Sequence, residues 1–206
     1  MTPEPPPLLL LTNRRHATAA GHTLVGVVRR AVEAGARTVI LREKDLRVSE
    51  RAVLAGELRR RVLGGVGGRL LVASDASLAR KIGAAGVHLA TSDELPIRHR
   101  RTFLIGRSCH DVREVEEAAE AGCDYVTVSP VFETSSKPGY APVLGIDGLE
   151  RVSARAAVPV YALGGVGPGR VVDCLKAGAS GVAVMGAVMG ATDPGAVVRA
   201  MVEELG

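Results

Sequence analysis

Residues 168–184 read PGRVVDCLKAGASGVAV, and this stretch decides the fold. Pro168 suits the first turn of a helix, where its missing N–H costs nothing. The helical pattern Pro168–Ala177 then stops at Ala177-Gly178-Ala179, and Gly181–Val184 is a short apolar run of the kind that forms a buried parallel strand. The same joint recurs at Ala34-Gly35-Ala36, Ala85-Gly86-Val87 and Ala121-Gly122-Cys123. At each, the Gly is expected to end a helix in left-handed geometry, and its small neighbours let helix and strand pack closely. Repetition of this joint accounts for much of the Gly content, 25 in 206 residues.

Working outward, apolar runs that fit strands are Leu8–Thr12, Thr38–Arg42, Arg69–Ala73, Val87–Ala90, Phe103–Arg107, Tyr125–Val128, Val160–Ala162 and Gly181–Val184. Helical patterns lie between them: Thr23–Ala34, Ser49–Leu63, Asp111–Ala121, Pro168–Ala177 and Pro194–Glu204. Asp111 followed by Glu114 is a capping-box signature, and Pro194 suits a first helical turn. Eight strands alternating with helices, with no chain left for a second domain, predict an α/β fold: one (β/α)8 TIM barrel over residues 1–206. Residues 1–7 are expected to form a flexible N-terminal extension. An open doubly wound sheet is the alternative, but no G-x-G-x-x-G follows the first strand.

Composition narrows the function. With 3 Tyr, 2 Phe and no Trp, the core is expected to be branched aliphatic, and stacking platforms for single-stranded nucleic acid are nearly excluded. Leu8–Leu11 is too short to span a membrane or to serve as a signal segment. Cys109, Cys123 and Cys174 have no metal-like spacing and read as reduced thiols of a cytoplasmic protein. The net charge of +4 is spread along the chain. The expected partners are therefore small phosphorylated substrates, with no nucleic acid and no membrane, and a homo-oligomer is compatible.

A barrel keeps its active site where strands end and βα loops begin. After the second strand, alternation places Ile40, Arg42 and Lys44 on one face, so two cations point together. Ser74-Asp75 follows the third strand, and Thr91-Ser92-Asp93 the fourth. Two carboxylates beside two cations suit a Mg²⁺-bound diphosphate. Taken singly, Asp75 and Asp93 each fit a helix N-cap equally well. The fifth strand delivers Ser108 and His110 on one face, His110 as an acid/base or as a polar lid residue. Cys109 points the other way, which disfavours it as a nucleophile. A long loop from Ser129-Pro130 to Gly145 carries Thr134 and Lys137, residue types that reach phosphate. The last two strands end in Leu163-Gly164-Gly165-Val166 and Val184-Met185-Gly186-Ala187, whose backbone N–H groups suit a phosphate nest.

These pieces occur in the order of the thiamine phosphate synthase/TenI family: Arg42-Glu43-Lys44, Asp75, Val87-His88-Leu89, Gly106–His110, Ser129–Lys137, Gly164-Gly165-Val166 and Gly181–Val184. The chain resembles that family over nearly its whole length. The resemblance implies an enzyme of vitamin B1 biosynthesis, a transferase that joins hydroxymethylpyrimidine diphosphate to hydroxyethylthiazole phosphate and releases pyrophosphate, with Mg²⁺. It implies that Arg42, Lys44 and Lys137 hold the diphosphate, that Asp75 and Asp93 bind Mg²⁺, and that Ser108 assists the leaving group. Thr134, Gly165, Met185 and Gly186 would line the thiazole-phosphate pocket, together with Ser74, Ser129 and Gly164 among the substrate contacts.

The sequence departs from the synthase pattern at four positions. Ile40 stands where the pattern has the Gln that reads the pyrimidine, Ser74 replaces Asn, Thr91 replaces Gln, and Gly186 replaces Ser. An unpaired ligand atom opposite Ile40 would cost roughly 1–3 kcal/mol. Two other readings therefore stand beside the synthase. One is a TenI-type tautomerase, an isomerase of a carboxythiazole phosphate that uses His110 as acid/base and needs no metal. The other is an idle paralog that binds thiazole phosphate without turnover. The presence of Arg42, Lys44, Asp75, Asp93 and Lys137 favours the synthase, since tautomerisation needs no diphosphate clamp.

Overall fold

A computed structural model describes residues 5–95, 103–134 and 143–206. Eight strands, β1 (Leu8–Leu11), β2 (Thr38–Leu41), β3 (Arg69–Ala73), β4 (Gly86–Leu89), β5 (Leu104–Cys109), β6 (Tyr125–Val128), β7 (Val160–Leu163) and β8 (Gly181–Val184), pair in parallel in chain order. Strand β1 closes the barrel on β8 through Leu9 opposite Ala183. The sheet is thus the expected TIM barrel.

The helices follow as α1 (Arg14–Ala19), α2 (Leu24–Glu33), α3 (Val48–Leu58), α4 (Ala76–Lys81), α5 (Val112–Glu120), α6 (Gly145–Ser153), α7 (Val171–Lys176), α8 (Gly186–Met189) and α9 (Pro194–Leu205). Caps explain several starts: the side chains of Thr23, Asp75, Asp111 and Asp193 each accept a backbone N–H of the first turn. The expected helix Ser49–Leu63 is α3 followed by a π-helical turn, Arg59–Leu63.

Alternation along the strands sorts the core into two layers. Leu8, Leu10, Val39, Leu41, Val126, Val128, Val182 and Val184 face the helices. Leu9, Leu11, Ile40, Leu71, Ala73, Leu104, Tyr125, Tyr161 and Ala183 fill the barrel. The interior is therefore not purely aliphatic. Tyr125 and Tyr161 meet edge to face with ring centres 5.5 Å apart. Gly106 on β5 makes room for them, because a Cβ there would lie 2.1 Å from Cζ of Tyr125.

Three expectations are corrected. Gly35, Gly122 and Gly178 do end their helices with φ of 118°, 82° and 86°, but Gly86 is a strand residue, and Gly83 (φ 64°) ends α4. A Cβ on Gly86 would meet the carbonyl oxygen of Leu104 at 2.2 Å, so this glycine serves strand packing. Pro168 is not helical, because Gly167–Arg170 forms a turn before α7 begins at Val171. Residues 5–7 are not a loose extension. Pro5 is buried and its carbonyl accepts the Tyr161 hydroxyl at 2.7 Å, while the Pro7 carbonyl accepts the Val182 N–H at 2.8 Å.

Candidate active site

The C-terminal ends of the strands surround one cavity of about 1050 Å³. Its floor is apolar, formed by Leu11, Ile40, Ala73, Leu163, Ala183 and Met185. Its walls carry polar groups at opposite sides of the barrel.

At one side, Thr12 fixes the exit of β2: its N–H donates to the Ile40 carbonyl at 3.0 Å and its hydroxyl accepts the Arg42 N–H at 2.8 Å. Arg42 and Lys44 then line the cavity, and Ile40 lies beneath them, fully buried. Glu43, between them, points away and is buried at 3% exposure. It accepts both the backbone N–H and the guanidinium of Arg14 at 3.0 Å. This brace makes the alternation rigid, and it is a contribution that the sequence reading passed over. Arg14 also grips Asp45 at 2.6 Å, which holds the Asp45 carboxyl well below the ordinary carboxylate range.

The two acidic candidates sit at the ends of neighbouring strands, each already in use. Asp75 caps α4 through the Leu78 N–H and pairs with Arg51 of α3, both at 2.8 Å. Asp93 accepts the Ala90 N–H at 2.7 Å and closes a turn after β4. Neither lines the cavity directly, although Ser74 and Ser92 beside them do. Ser74 holds φ at 57°, rare for a residue with a side chain, and its buried Oγ has no hydrogen-bond partner among the described residues.

A polar group the sequence reading quoted but did not assign lies at the centre. His88 of β4 is buried inside the barrel, with Nδ1 3.0 Å from the Tyr125 hydroxyl. Its Nε2 is 3.0 Å from Ser108 Oγ and 3.3 Å from Thr127 Oγ1. Burial first, then the positive charges of Lys44 and Arg42, push His88 down to about 4. The ring is therefore neutral at pH 7. Among the described residues the buried Tyr125 hydroxyl has only Nδ1 to donate to, so the proton of the ring sits on Nε2. Nε2–H then donates to Ser108, whose own hydroxyl hydrogen is left for a ligand.

His110 stands above Ser108 on the same wall, as alternation requires. Its Nδ1 donates to the Ser129 carbonyl at 2.6 Å, and its N–H donates to Glu114 at 2.7 Å. A carbonyl can only accept, so His110 Nδ1 carries a proton. Cys109 faces outward, donates to the Glu114 carbonyl, and is pushed up to about 12 by burial, so it is not a nucleophile.

Across the cavity, Ser129, Thr134, Gly164, Gly165, Met185 and Gly186 all line the wall, as expected. Gly164 and Gly165 have φ of 94° and 65° and run against residues 130–133. A Cβ on Gly165 would lie 2.3 Å from the Glu133 carbonyl oxygen. Arg170 lines the same wall and was missing from the sequence reading. Lys137 lies outside the described residues. The structure thus brings together every expected site residue it describes except Asp75 and Asp93, which stand just behind the rim.

Comparison with known proteins agrees with this geometry. The family model described as thiamine monophosphate synthase matches residues 8–188. The chain is 40% identical to a thiamine-phosphate synthase of Albidiferax ferrireducens, over 85% of this chain and 82% of that one. It is 39% identical to the thiamine biosynthesis bifunctional protein ThiM/ThiE of Symbiobacterium thermophilum, covering 92% of this chain but only 40% of that larger protein. Among solved structures, thiamine phosphate pyrophosphorylase from Pyrococcus furiosus superposes with a TM-score of 0.83 at 29% identity, covering 96% of this chain and 94% of that one. The match runs through both walls of the cavity and the strands that carry them, and the chain belongs to the thiamine monophosphate synthase family.

Proposed function

We propose that this chain is a thiamine-phosphate synthase, joining hydroxymethylpyrimidine diphosphate to hydroxyethylthiazole phosphate with release of pyrophosphate. One observation supports the reading: a single cavity is lined on one side by Arg42 and Lys44 and on the other by the Gly164-Gly165 and Gly186 turns, two separate sets of groups suited to anions. One phosphorylated substrate would need only one of them.

The chemistry follows from the charge that develops. Breaking the bond between the pyrimidine methylene carbon and the diphosphate oxygen leaves a stabilised cation and pyrophosphate. The thiazole nitrogen then forms the new bond to that carbon. Arg42 and Lys44 hold the diphosphate and stabilise its growing charge. Ser108, its Oγ held by His88, turns its hydroxyl hydrogen toward the leaving oxygen. The apolar floor keeps water from the carbon that the thiazole must reach. Lys137 belongs to the same clamp on the strength of the family resemblance.

Mg²⁺ fits the donor set, because two hard carboxylates at adjacent strand ends, supplemented by phosphate oxygens, are what this ion takes. Asp75 and Asp93 would hold it, Asp75 sharing its carboxylate with Arg51. When bound, the ion neutralises diphosphate charge. Small phosphorylated substrates and the thiols of Cys109, Cys123 and Cys174 support a cytoplasmic reading; among the described residues no helix is long and apolar enough to cross a membrane.

His110 supports a second reading. An imidazole at the cavity wall, oriented by its Nδ1 bond to the Ser129 carbonyl, has the residue type and place for the proton transfer that thiazole tautomerisation requires. One experiment separates the readings. Purified protein is incubated with the pyrimidine diphosphate, thiazole phosphate and Mg²⁺, and in parallel with the carboxythiazole tautomer alone. Formation of thiamine phosphate and pyrophosphate is expected. Turnover of the carboxythiazole without thiamine phosphate would establish the tautomerase instead, and binding without turnover in either arm would leave an idle paralog.

A further inference from the structure

The turn before α7 breaks a local rule. Its N-cap position is held by Arg170, a residue that cannot accept the first-turn N–H groups, whereas Thr23, Asp75, Asp111 and Asp193 cap their own helices with side-chain oxygens. The task falls to Glu204 of α9, whose carboxylate accepts Gly169 N–H at 2.6 Å and Val171 N–H at 3.2 Å. The backbone of Arg170 is thereby clamped on both sides by a neighbouring helix. Its side chain is fixed as well. The guanidinium lies over the Phe132 ring, 4.6 Å from the ring centre, and donates to the Gly165 carbonyl at 2.7 Å.

Two consequences follow for the glycine wall. The Gly165 carbonyl is directed at Arg170, and in a trans peptide the next N–H, that of Val166, points the opposite way. Among the described residues that N–H has no hydrogen-bond partner. The guanidinium also places a full positive charge on a wall whose other donors are backbone N–H groups and the hydroxyls of Ser129 and Thr134, and most of its five N–H groups remain available.

We propose that Arg170 is the phosphate-selecting residue of the glycine wall: it binds the phosphate monoester of the second substrate directly with its remaining N–H groups, while its bond to the Gly165 carbonyl fixes the peptide that shapes the wall. This rests on reading the β7–β8 side as the phosphate end, and it holds for a synthase or a tautomerase alike.

The test compares hydroxyethylthiazole phosphate with its unphosphorylated alcohol by calorimetric titration of the full chain, without diphosphate. The wild type should prefer the phosphate ester, and Arg170→Ala should weaken that ester by about 10- to 100-fold while leaving the alcohol unchanged. Arg170→Lys, which keeps the charge but not the planar stack, should recover part of the loss. Equal weakening of both ligands would reduce Arg170 to a structural prop of the Phe132 turn and overturn the proposal. So would an Arg170→Ala variant that still prefers the ester as strongly as the wild type. A wild type without any preference would instead remove the phosphate-end reading itself.

Discussion

The two walls of the cavity offer hydrogen-bond donors and charge by different means. The β2–β4 wall works through side chains: Arg42 and Lys44 reach inward because Glu43, locked to Arg14, keeps the intervening residue outside. The β7–β8 wall works through backbone, with two glycines at positive φ pressed against residues 130–133 and one arginine laid along them. A side-chain wall suits a diphosphate whose charge grows during reaction. A backbone wall suits a phosphate that is held and does not react. The difference predicts that mutations on the first wall act on turnover, and mutations on the second on affinity.

The largest effect is expected on the first wall. Arg42→Ala should lower kcat by about 10²- to 10³-fold, as loss of one donor to a developing charge does elsewhere. Affinity for thiazole phosphate should stay within a factor of two or so of wild type. Chelation of Mg²⁺ should likewise stop turnover without releasing thiazole phosphate. If either treatment abolished thiazole-phosphate binding, the two walls would not be separable.

Gly165→Ala should do the reverse. A Cβ there meets the Glu133 carbonyl at 2.3 Å and the backbone sits at φ 65°, so the turn must move. Thiazole-phosphate affinity should fall by tenfold or more, roughly the 1–3 kcal/mol of a strained backbone site. Pyrophosphate binding should be retained. Equal loss of both ligands would point to general unfolding, which a melting curve would show.

Ile40 sharpens the comparison at the floor. Ile40→Gln should raise synthase turnover by about five- to a hundredfold if a pyrimidine atom lies unpaired above it. An unchanged rate would mean that the floor recognises the ring by shape alone.

A separate expectation concerns stability rather than turnover or affinity. His88 titrates near 4 in the folded chain against 6.5 in the free side chain, because its buried ring resists the charge. The contribution is complete above pH 6.5 and is lost as the pH falls toward 4, where the unfolded chain takes up the proton first. The loss amounts to about 3 kcal/mol. A His88→Gln variant, followed by denaturant unfolding between pH 7 and 4, should lack this slope.

Much of this architecture was legible in the sequence, for identifiable reasons. Parallel strands buried on both faces announce themselves as short apolar runs, and Arg69–Ala73, Tyr125–Val128 and Gly181–Val184 were read with their observed bounds. Alternation alone placed Arg42, Lys44, Ser108 and His110 on the cavity wall. What stayed hidden depends on contacts between distant residues. Gly86 looks like a helix-ending glycine until Leu104 is seen beside it. The count of aromatics gave no sign that two tyrosines fill the barrel centre and that one of them, Tyr125, holds His88. Asp75 carries its expected cap, but its pairing with Arg51 comes from a helix on another unit. Arg170 gains its place from Phe132 and Glu204, neither of which is near it in the chain.

The central claim is that one cavity holds two phosphorylated ligands at once, on walls of different construction. Titrating thiazole phosphate into protein already saturated with pyrophosphate and Mg²⁺ tests it directly. The account predicts a ternary complex, with one thiazole phosphate bound per chain and an affinity close to that seen without pyrophosphate. Mutual displacement of the two ligands would show a single anion site and contradict it.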